Sequence, residues 1–246
     1  MDFSEKDFTS LLMRIFKENG MGKLLSAEKC KVLYALTERL ITENQKYNLT
    51  AITDPEGVVL NHYCDSATLS ELLPKGAKII DVGCGAGFPS LPLAILREDV
   101  EILALDATAK RVNYVKESAE LLGLSNVRCV CMRAEEGARL PEYRERFDFA
   151  TARAVAEMRV LSELTLPYVK LGGALIAMKG KNAEYELSSS ARAIAILGGK
   201  LKQTKNISLK NGTKEPLTHP LIIIEKKSKT PASYPRAYAQ ISKKPL

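Results

Sequence analysis

Absences set the first limits on this 246-residue chain. No apolar run approaches the ~18 residues needed to cross a bilayer, which argues against a membrane-embedded body. The opening stretch, Met1 to Asp7, is charged and lacks a secretory hydrophobic region, so a cytoplasmic protein is expected. The five cysteines, Cys30, Cys64, Cys84, Cys129 and Cys131, include no C-x-x-C pair. An odd number without that spacing fits buried free thiols in a reducing compartment rather than a disulfide framework or a metal site. Cys129 and Cys131 alternate on a predicted strand and so share one face. The only two histidines, His62 and His219, lie far apart and offer no metal-ligand spacing, so no metal is expected. Internal repeats are absent as well.

Acidic residues are scarce in one region. The net charge is +7, yet residues 1–195 hold 25 Lys and Arg against 27 Asp and Glu. Residues 196–246 hold 11 Lys and Arg against only Glu215 and Glu225. All of the positive excess therefore sits in the last fifth of the chain. Such a segment can be a solvated surface, or it can grip a polyanion. Attached to a ligand-binding domain, the second reading is favoured.

The most informative residues present are Lys78-Ile79-Ile80-Asp81-Val82-Gly83-Cys84-Gly85-Ala86-Gly87-Phe88-Pro89. An apolar strand enters a glycine-rich turn and leaves through Pro89 into a helical pattern, the place where an α/β sheet receives a nucleotide-like ligand. Pro89 suits the first turn of that helix, where its missing N–H removes no helical bond. A dinucleotide fingerprint, G-x-G-x-x-G/A, needs a small residue where this chain has Phe88. The compact G-x-G-x-G of Gly83, Gly85 and Gly87, preceded by Asp81, resembles motif I of S-adenosylmethionine-dependent methyltransferases. A second apolar strand, 101–106, ends in Asp106, about 20 residues beyond the glycines, where an acid can accept both ribose hydroxyls. That acid indicates a ribose and serves a nicotinamide cofactor equally well.

From Ala77 onward strands and helices alternate. Strands are predicted at 78–82, 101–106, 127–132, 147–152 and 174–179, and helices at 89–97, 109–122, 157–168 and 182–197. The alternation implies a parallel sheet with helices on both faces. Two further strands, 200–210 and 221–226, form a closing antiparallel hairpin. The fold class expected is the class I, Rossmann-like methyltransferase sheet, seven-stranded and mostly parallel with an antiparallel closing strand, plus an N-terminal helical extension. That extension holds a first helix through Phe8 to Phe16, a second from the cap Ser26 to about Asn44, and a third over 55–72 capped by Asp54. The predicted domains are 1–75, 76–229 and a basic extended tail, 230–246.

Several blocks outside the glycine loop carry a family resemblance. They are Asn48-Leu49-Thr50-Ala51-Ile52 with Asp54-Pro55, His62-Tyr63-Cys64-Asp65-Ser66, Thr151-Ala152-Arg153-Ala154, Leu161-Ser162-Glu163 and Met178-Lys179-Gly180. The tail adds Tyr234-Pro235-Arg236 and Lys243-Lys244-Pro245-Leu246. Together with the glycine loop these resemble the RsmG (GidB) family of bacterial 16S rRNA guanine-N7 methyltransferases over nearly the whole chain. The segment 107–111 is not matched residue by residue.

The resemblance implies S-adenosylmethionine as cofactor. Gly83, Gly85, Gly87 and Phe88 would form the loop around it, with Gly83 and Phe88 lining its methionine end. Asp106 would hold the ribose, Ala134 and Glu135 would surround the adenine, and Arg153 would sit near the cofactor and the incoming base. The implied partner is 16S rRNA or the small ribosomal subunit, with no membrane and nothing that demands more than a monomer. Lys227, Lys229, Arg236, Lys243 and Lys244 are the residues proposed to contact RNA, within a wider basic set that includes Lys200, Lys202, Lys205, Lys210 and Lys226.

Two absences agree with N7 chemistry. No Pro-Cys pair supplies the nucleophile of cytosine-C5 methylation, and no Pro-Pro supplies the box of adenine amino methyltransferases. Guanine N7 is a bare acceptor with no proton to remove, so the expected catalytic residues are none, with rate coming from positioning. The alternatives are a methyltransferase of another substrate, a nicotinamide-dependent oxidoreductase, and an RNA-binding assembly module with a vestigial pocket.

Overall fold

A computed structural model describes residues 4–246 of the chain. Ser4 opens α1 (Glu5–Glu18), its hydroxyl accepting the Asp7 N–H, and Ser26 does the same for α2 (Ala27–Tyr47) through Lys29. α2 runs three residues beyond the expected Asn44 and stops at Asn48, whose φ of 49° is the left-handed conformation that asparagine tolerates. The predicted third helix opens as expected, with the Asp54 carboxylate accepting the Gly57 N–H and Pro55 first, but it is not uniform. α3 (Pro55–Gly57) passes into a wide π turn, Val58–Cys64, then α4 (Asp65–Ala67) and a 3₁₀ turn, Ser70–Leu72. Helices widen in this way mostly at functional positions, and here the wide turn carries His62.

The alternating region gives β1 (Lys78–Val82), α5 (Ser90–Leu96), β2 (Glu101–Asp106), α6 (Ala109–Leu121), β3 (Val127–Cys131), α7 (Ala134–Gly137), β4 (Phe147–Arg153), α8 (Met158–Thr165), β5 (Val169–Met178) and α9 (Ala183–Ile196). β6 (Gly199–Leu209) and β7 (Leu217–Lys226) follow, then α10 (Tyr238–Lys243). The strands form one seven-stranded sheet in the order β3-β2-β1-β4-β5-β7-β6. The first five are mutually parallel, and β7 is antiparallel to both β5 and β6. The order reverses between β1 and β4, so a crevice opens outside their carboxyl ends.

Strand alternation divides the core. Ile79, Ile102, Ile176 and Ile223 face α1, α2 and α5, joined by Phe8, Leu36 and Leu91. Ile80, Leu103, Leu175 and Ile222 face the other way, against Met158, Leu161 and Ile194 of α8 and α9. α1 and α2 thus cover one face of the sheet, and Arg39 of α2 reaches across to Ser118 and Glu117 of α6.

Five local expectations need correction. α5 begins at Ser90, with Pro89 the residue before it. β5 starts at Val169 and runs through Gly172-Gly173, because a Cβ at Gly173 would lie 2.3 Å from the Asp148 carbonyl on β4. β7 starts at Leu217 and contains Pro220; pairing with β5 ends at Leu221, so the missing proline N–H falls outside that ladder. Cys131 is exposed, on the edge strand β3, whereas Cys30, Cys64 and Cys84 are buried. The tail is not simply extended, since it includes α10. Among the described residues no helix is long and apolar enough to cross a membrane, and no cluster of His, Cys, Asp or Glu could hold a metal ion.

Candidate functional site

The crevice at the ends of β1 and β4 holds a cavity of about 370 Å³ lined by Gly83, Gly85, Asp106, Ala134, Glu135 and Arg153, among others. That volume falls in the roughly 300–1,000 Å³ range of small-molecule sites. Size alone does not select it, because a hollow of about 400 Å³ lies between the end of α1 and β6. Convergence of charged groups with strand ends does.

The loop after β1 is tied to β2 before it meets any ligand. Gly83 and Cys84 both donate their N–H to the Leu105 carbonyl, at 2.7 and 3.0 Å. Gly83 has φ +76°, and a Cβ there would come within 2.7 Å of the Val155 side chain across the cavity. Gly85, with φ +56°, has only the Gly83 carbonyl oxygen, at 3.9 Å, near where a Cβ would go, so backbone can approach a ligand there. Asp106 is 5 % exposed and accepts the Gly85 N–H at 3.0 Å on one oxygen and the Thr108 N–H at 2.8 Å on the other. Each oxygen keeps a further lone pair for a hydroxyl donor. Arg111 stands 3.8 Å away at the rim. Across the cavity Glu135 is buried, held by Arg133 at 3.3 Å, and the Tyr168 hydroxyl donates to the Ala134 carbonyl at 2.6 Å.

Beneath the loop, Asp81 is almost fully buried. One oxygen accepts the Ser90 hydroxyl at 2.6 Å and the other has no partner among the described residues. Burial pushes this carboxyl up to about 6, against the pull of Ser90 and Arg153. A glycine cradle, a ribose-type acid at the end of β2 and a far wall that carries Glu135 fit a nucleoside.

Arg153 closes the other side. Its Nη1 donates to the Asn61 carbonyl at 2.8 Å and to Asp65 at 3.1 Å, and its Nη2 stands 3.4 Å from Nδ1 of His62. The opposite Asp65 oxygen meets Nε2 of His219 at 2.5 Å. His62 lies flat on Phe88, with ring centroids 4.1 Å apart and a tilt of 12°, and its Nε2 meets the Thr50 hydroxyl at 3.0 Å. Burial first, then Arg153, lowers the His62 pKa to about 4, so the ring is neutral near pH 7. A neutral ring with Nδ1 accepting from Arg153 and Nε2 donating to Thr50 satisfies both contacts. Of the five guanidinium N–H groups of Arg153, Nε–H and one on Nη2 have no partner among the described residues.

The loop 154–156 forms the remaining wall and is pinned from behind. Lys179 donates to the Ala156 carbonyl at 2.7 Å and pairs with Glu186 at 2.6 Å, and Glu186 also accepts the Met158 N–H.

Two expected loop residues do not reach the cavity. Gly87 is required for packing, since a Cβ there would sit 2.7 Å from Leu91 of α5. Phe88 turns into the core and lies behind Arg153, with the guanidinium carbon 5.4 Å from its ring centre. Two basic residues also face inward. Arg236 is spent on Glu163, a carboxylate with no solvent exposure, at 2.6 Å, and its backbone N–H goes to the same group. Lys226 is fully buried, donating to the Leu166 carbonyl, to Thr230 and toward Glu145 at 3.4 Å, and burial lowers its pKa to about 8. Lys229, Lys243 and Lys244 are exposed, and Lys227 is exposed while pairing with Glu225 at 2.7 Å.

The residues that sequence reasoning missed are His219, Lys179 and Tyr238 as parts of the site, and His62 and Asp65 as the seat of Arg153. Spacing gave a partial hint for the last two, which stand three apart in one helical segment. For His219, inside an apolar strand and 154 residues from Asp65, no local signal exists.

Comparison with known proteins is consistent across sequence and structure. The family model described as rRNA small subunit methyltransferase G matches residues 29–215. A Clostridium perfringens (strain 13) protein named ribosomal RNA small subunit methyltransferase G is 48% identical over 230 residues, covering 93% of this chain and 95% of its own length. A Leuconostoc mesenteroides protein of the same name is 42% identical over 232 residues, with coverages of 93% and 95%. Among solved structures, a SAM-dependent O-methyltransferase from Thermotoga maritima aligns with a TM-score of 0.52 at 16% identity, covering 77% of this chain and 72% of its own. The M. jannaschii TYW2 structure in complex with AdoMet aligns at 0.50 and 16% identity, over 66% and 74%. At such identities the structural likeness speaks for the fold.

Proposed function

The chain belongs to the rRNA small subunit methyltransferase G family, and on that premise we propose that it transfers a methyl group from S-adenosylmethionine to N7 of a guanine in a loop of 16S rRNA. The observation that carries this reading is the convergence of the Gly83–Gly85 cradle, Asp106 and Arg153 on one cavity at the reversal point of the sheet. When bound, the cofactor supplies an electrophilic methyl group on a sulfonium centre.

The protein's own residues then have limited but exacting work. Asp106, already oriented by two backbone N–H groups, accepts the ribose hydroxyls. Ala134 and Glu135 border the adenine, and Gly83 and Gly85 let backbone close on the methionine end. Arg153 directs its two remaining N–H groups toward the incoming base. Its charge is balanced by Asp65, which limits repulsion of the positive charge that guanine acquires on N7. No proton leaves N7, so no side chain has to act as a base, and alignment is the main source of rate. A loop guanine can leave its stack to present N7, whereas a duplex guanine cannot reach the cavity without unpairing.

The same proposal divides the chain into a helical extension (1–75), a catalytic domain (76–229) and a tail (230–246), acting as a cytoplasmic monomer. Lys227, Lys229, Lys243 and Lys244 contribute phosphate contacts that orient the RNA without reading its sequence. The test is methyl transfer from labelled S-adenosylmethionine to small ribosomal subunits that lack their own N7-methylguanosine, with the product mapped. One N7-methylguanosine in 16S rRNA is expected. Modification at another atom or another RNA would overturn the assignment.

A further inference from the structure

The cavity has a wall that the sheet does not provide. Tyr238, the first residue of α10, lines it together with Arg133, Ala134, Glu135 and Leu164, on the side away from the glycine loop. The residue is 41% exposed, among the large apolar side chains left open on the described part of the molecule. The Arg133 guanidinium lies over it, 4.5 Å from the ring centre, so the ring is oriented rather than free.

The segment that carries Tyr238 is tightly docked. Ile241, one turn along, is fully buried against Val160 and Leu164 of α8. Two residues upstream, Arg236 is locked on the buried Glu163. Before that, the Pro235 carbonyl accepts from Arg139 and the Tyr234 carbonyl accepts from Arg144 at 2.9 Å. These anchors hold Tyr238 in the wall of the cavity. An aromatic face held this way, opposite the acid that takes a ribose, suits a purine ring.

We propose that Tyr238 is a cofactor-binding residue, packing against the nucleoside end of S-adenosylmethionine, so that the carboxyl-terminal tail completes the cofactor site. This rests on the reading that the cavity takes that cofactor. It also gives the tail a role distinct from gripping RNA, because Lys243 and Lys244 leave α10 on the exposed side while its first residue meets the cofactor.

The chain contains no tryptophan, which makes the test direct. In Tyr238→Trp the new indole is the sole tryptophan and can be excited apart from the tyrosines. S-adenosylhomocysteine, the probe, is titrated into this variant by fluorescence and by calorimetry, and into the wild-type protein, Tyr238→Ala and Tyr238→Phe by calorimetry. The expected result is a saturable change in indole emission, a Kd raised roughly tenfold in Tyr238→Ala, in line with the cost of losing an aromatic–base contact, and near-normal binding by Tyr238→Phe. Thermal unfolding of Tyr238→Ala without ligand should match the wild type, which separates lost contact from a displaced tail. Calorimetric binding to Tyr238→Trp with no change in emission, or unchanged affinity in Tyr238→Ala, overturns the inference. If the wild-type protein itself fails to bind S-adenosylhomocysteine, the cofactor reading falls first.

Discussion

Two arginines in this molecule each pair with a buried carboxylate, and the contrast between them separates function from architecture. Arg153, at the end of β4, holds Asp65, and Arg236, in the tail, holds Glu163. Arg236 meets its carboxylate through Nε and Nη2, and its Nη1 donates to the Lys244 carbonyl at 3.1 Å, so these contacts tie the tail to α8 and to itself. Arg153 spends one nitrogen on Asp65 and Asn61 and part of another on His62, and it is a residue of the cavity wall. Burial and pairing are similar, and each guanidinium has two N–H groups without a partner among the described residues; of the two, Arg153 lines the cavity and Arg236 does not. A buried ion pair by itself is weak evidence of a functional site, whereas a paired arginine with donors left over at a cavity wall is a positioned one.

The largest effect should come from breaking the tail pair. Arg236→Ala leaves the Glu163 carboxylate with no solvent and no counter-charge, and should cost about 3 kcal/mol of stability, as removing one partner of a buried pair does. Urea unfolding measures this. A change under ~1 kcal/mol would mean that Glu163 takes up a proton or finds another partner.

Next in size is the proton balance around the cavity. The pKa of His62 falls on folding from 6.5 to about 4, so the unfolded chain binds more protons in that window and this residue's contribution is lost as pH falls through it. The pKa of Asp81 rises from 3.8 to about 6, so the folded state binds more protons between those values and its contribution is lost as pH rises. The two slopes oppose each other between about pH 4 and 6. Removing one should expose the other: Asp81→Asn should lose on the order of 2–3 kcal/mol more stability than the wild type between pH 6.5 and 4. Unfolding curves at several pH values decide it, and parallel pH dependences in the two proteins would contradict the assignment.

Much of the fold was legible because its signals are local. Ser26 caps a helix that begins one residue later, Ile79–Val82 is a strand buried on both faces, and Gly83, Gly85 and Asp106 are placed by a turn whose geometry glycine dictates. The sheet and cofactor family followed from these, and the relatives agree. What was not legible depends on partners far along the chain. His219 reaches Asp65 only because β7 inserts beside β5, and the tail forms a cavity wall only because Glu163 and Arg144 receive it. Phe88 was placed at the cofactor by its position in the loop. The wide turn at Val58–Cys64 instead offers it the His62 ring to stack on, and the side chain turns inward. Counting charges likewise could not tell Lys226 and Arg236, which are structural, from Lys243 and Lys244, which face solvent.

A smaller effect tests the seat of Arg153. His219→Ala removes the second partner of Asp65 and lets that carboxylate shift; methyl transfer should fall roughly five- to tenfold, while affinity for S-adenosylhomocysteine stays within about twofold, as for a group that orients another. Equal losses in both would make His219 part of general packing instead. The smallest effect belongs to the exposed charges. Lys243→Ala with Lys244→Ala should weaken RNA binding and reduce its salt dependence by a slope of about 1–2, with cofactor affinity unchanged. Unaltered salt dependence would remove the tail lysines from the RNA surface.

The central claim is that this cavity works by alignment alone, with no side chain taking a proton. Single-turnover methyl transfer at saturating RNA and cofactor, followed from about pH 6 to 9, tests it most directly. A rate constant nearly independent of pH, lowered roughly 100-fold by Arg153→Ala without a change in the profile's shape, is the predicted result. A rise through a pKa near neutrality that binding does not explain would contradict the claim and identify a base in the site.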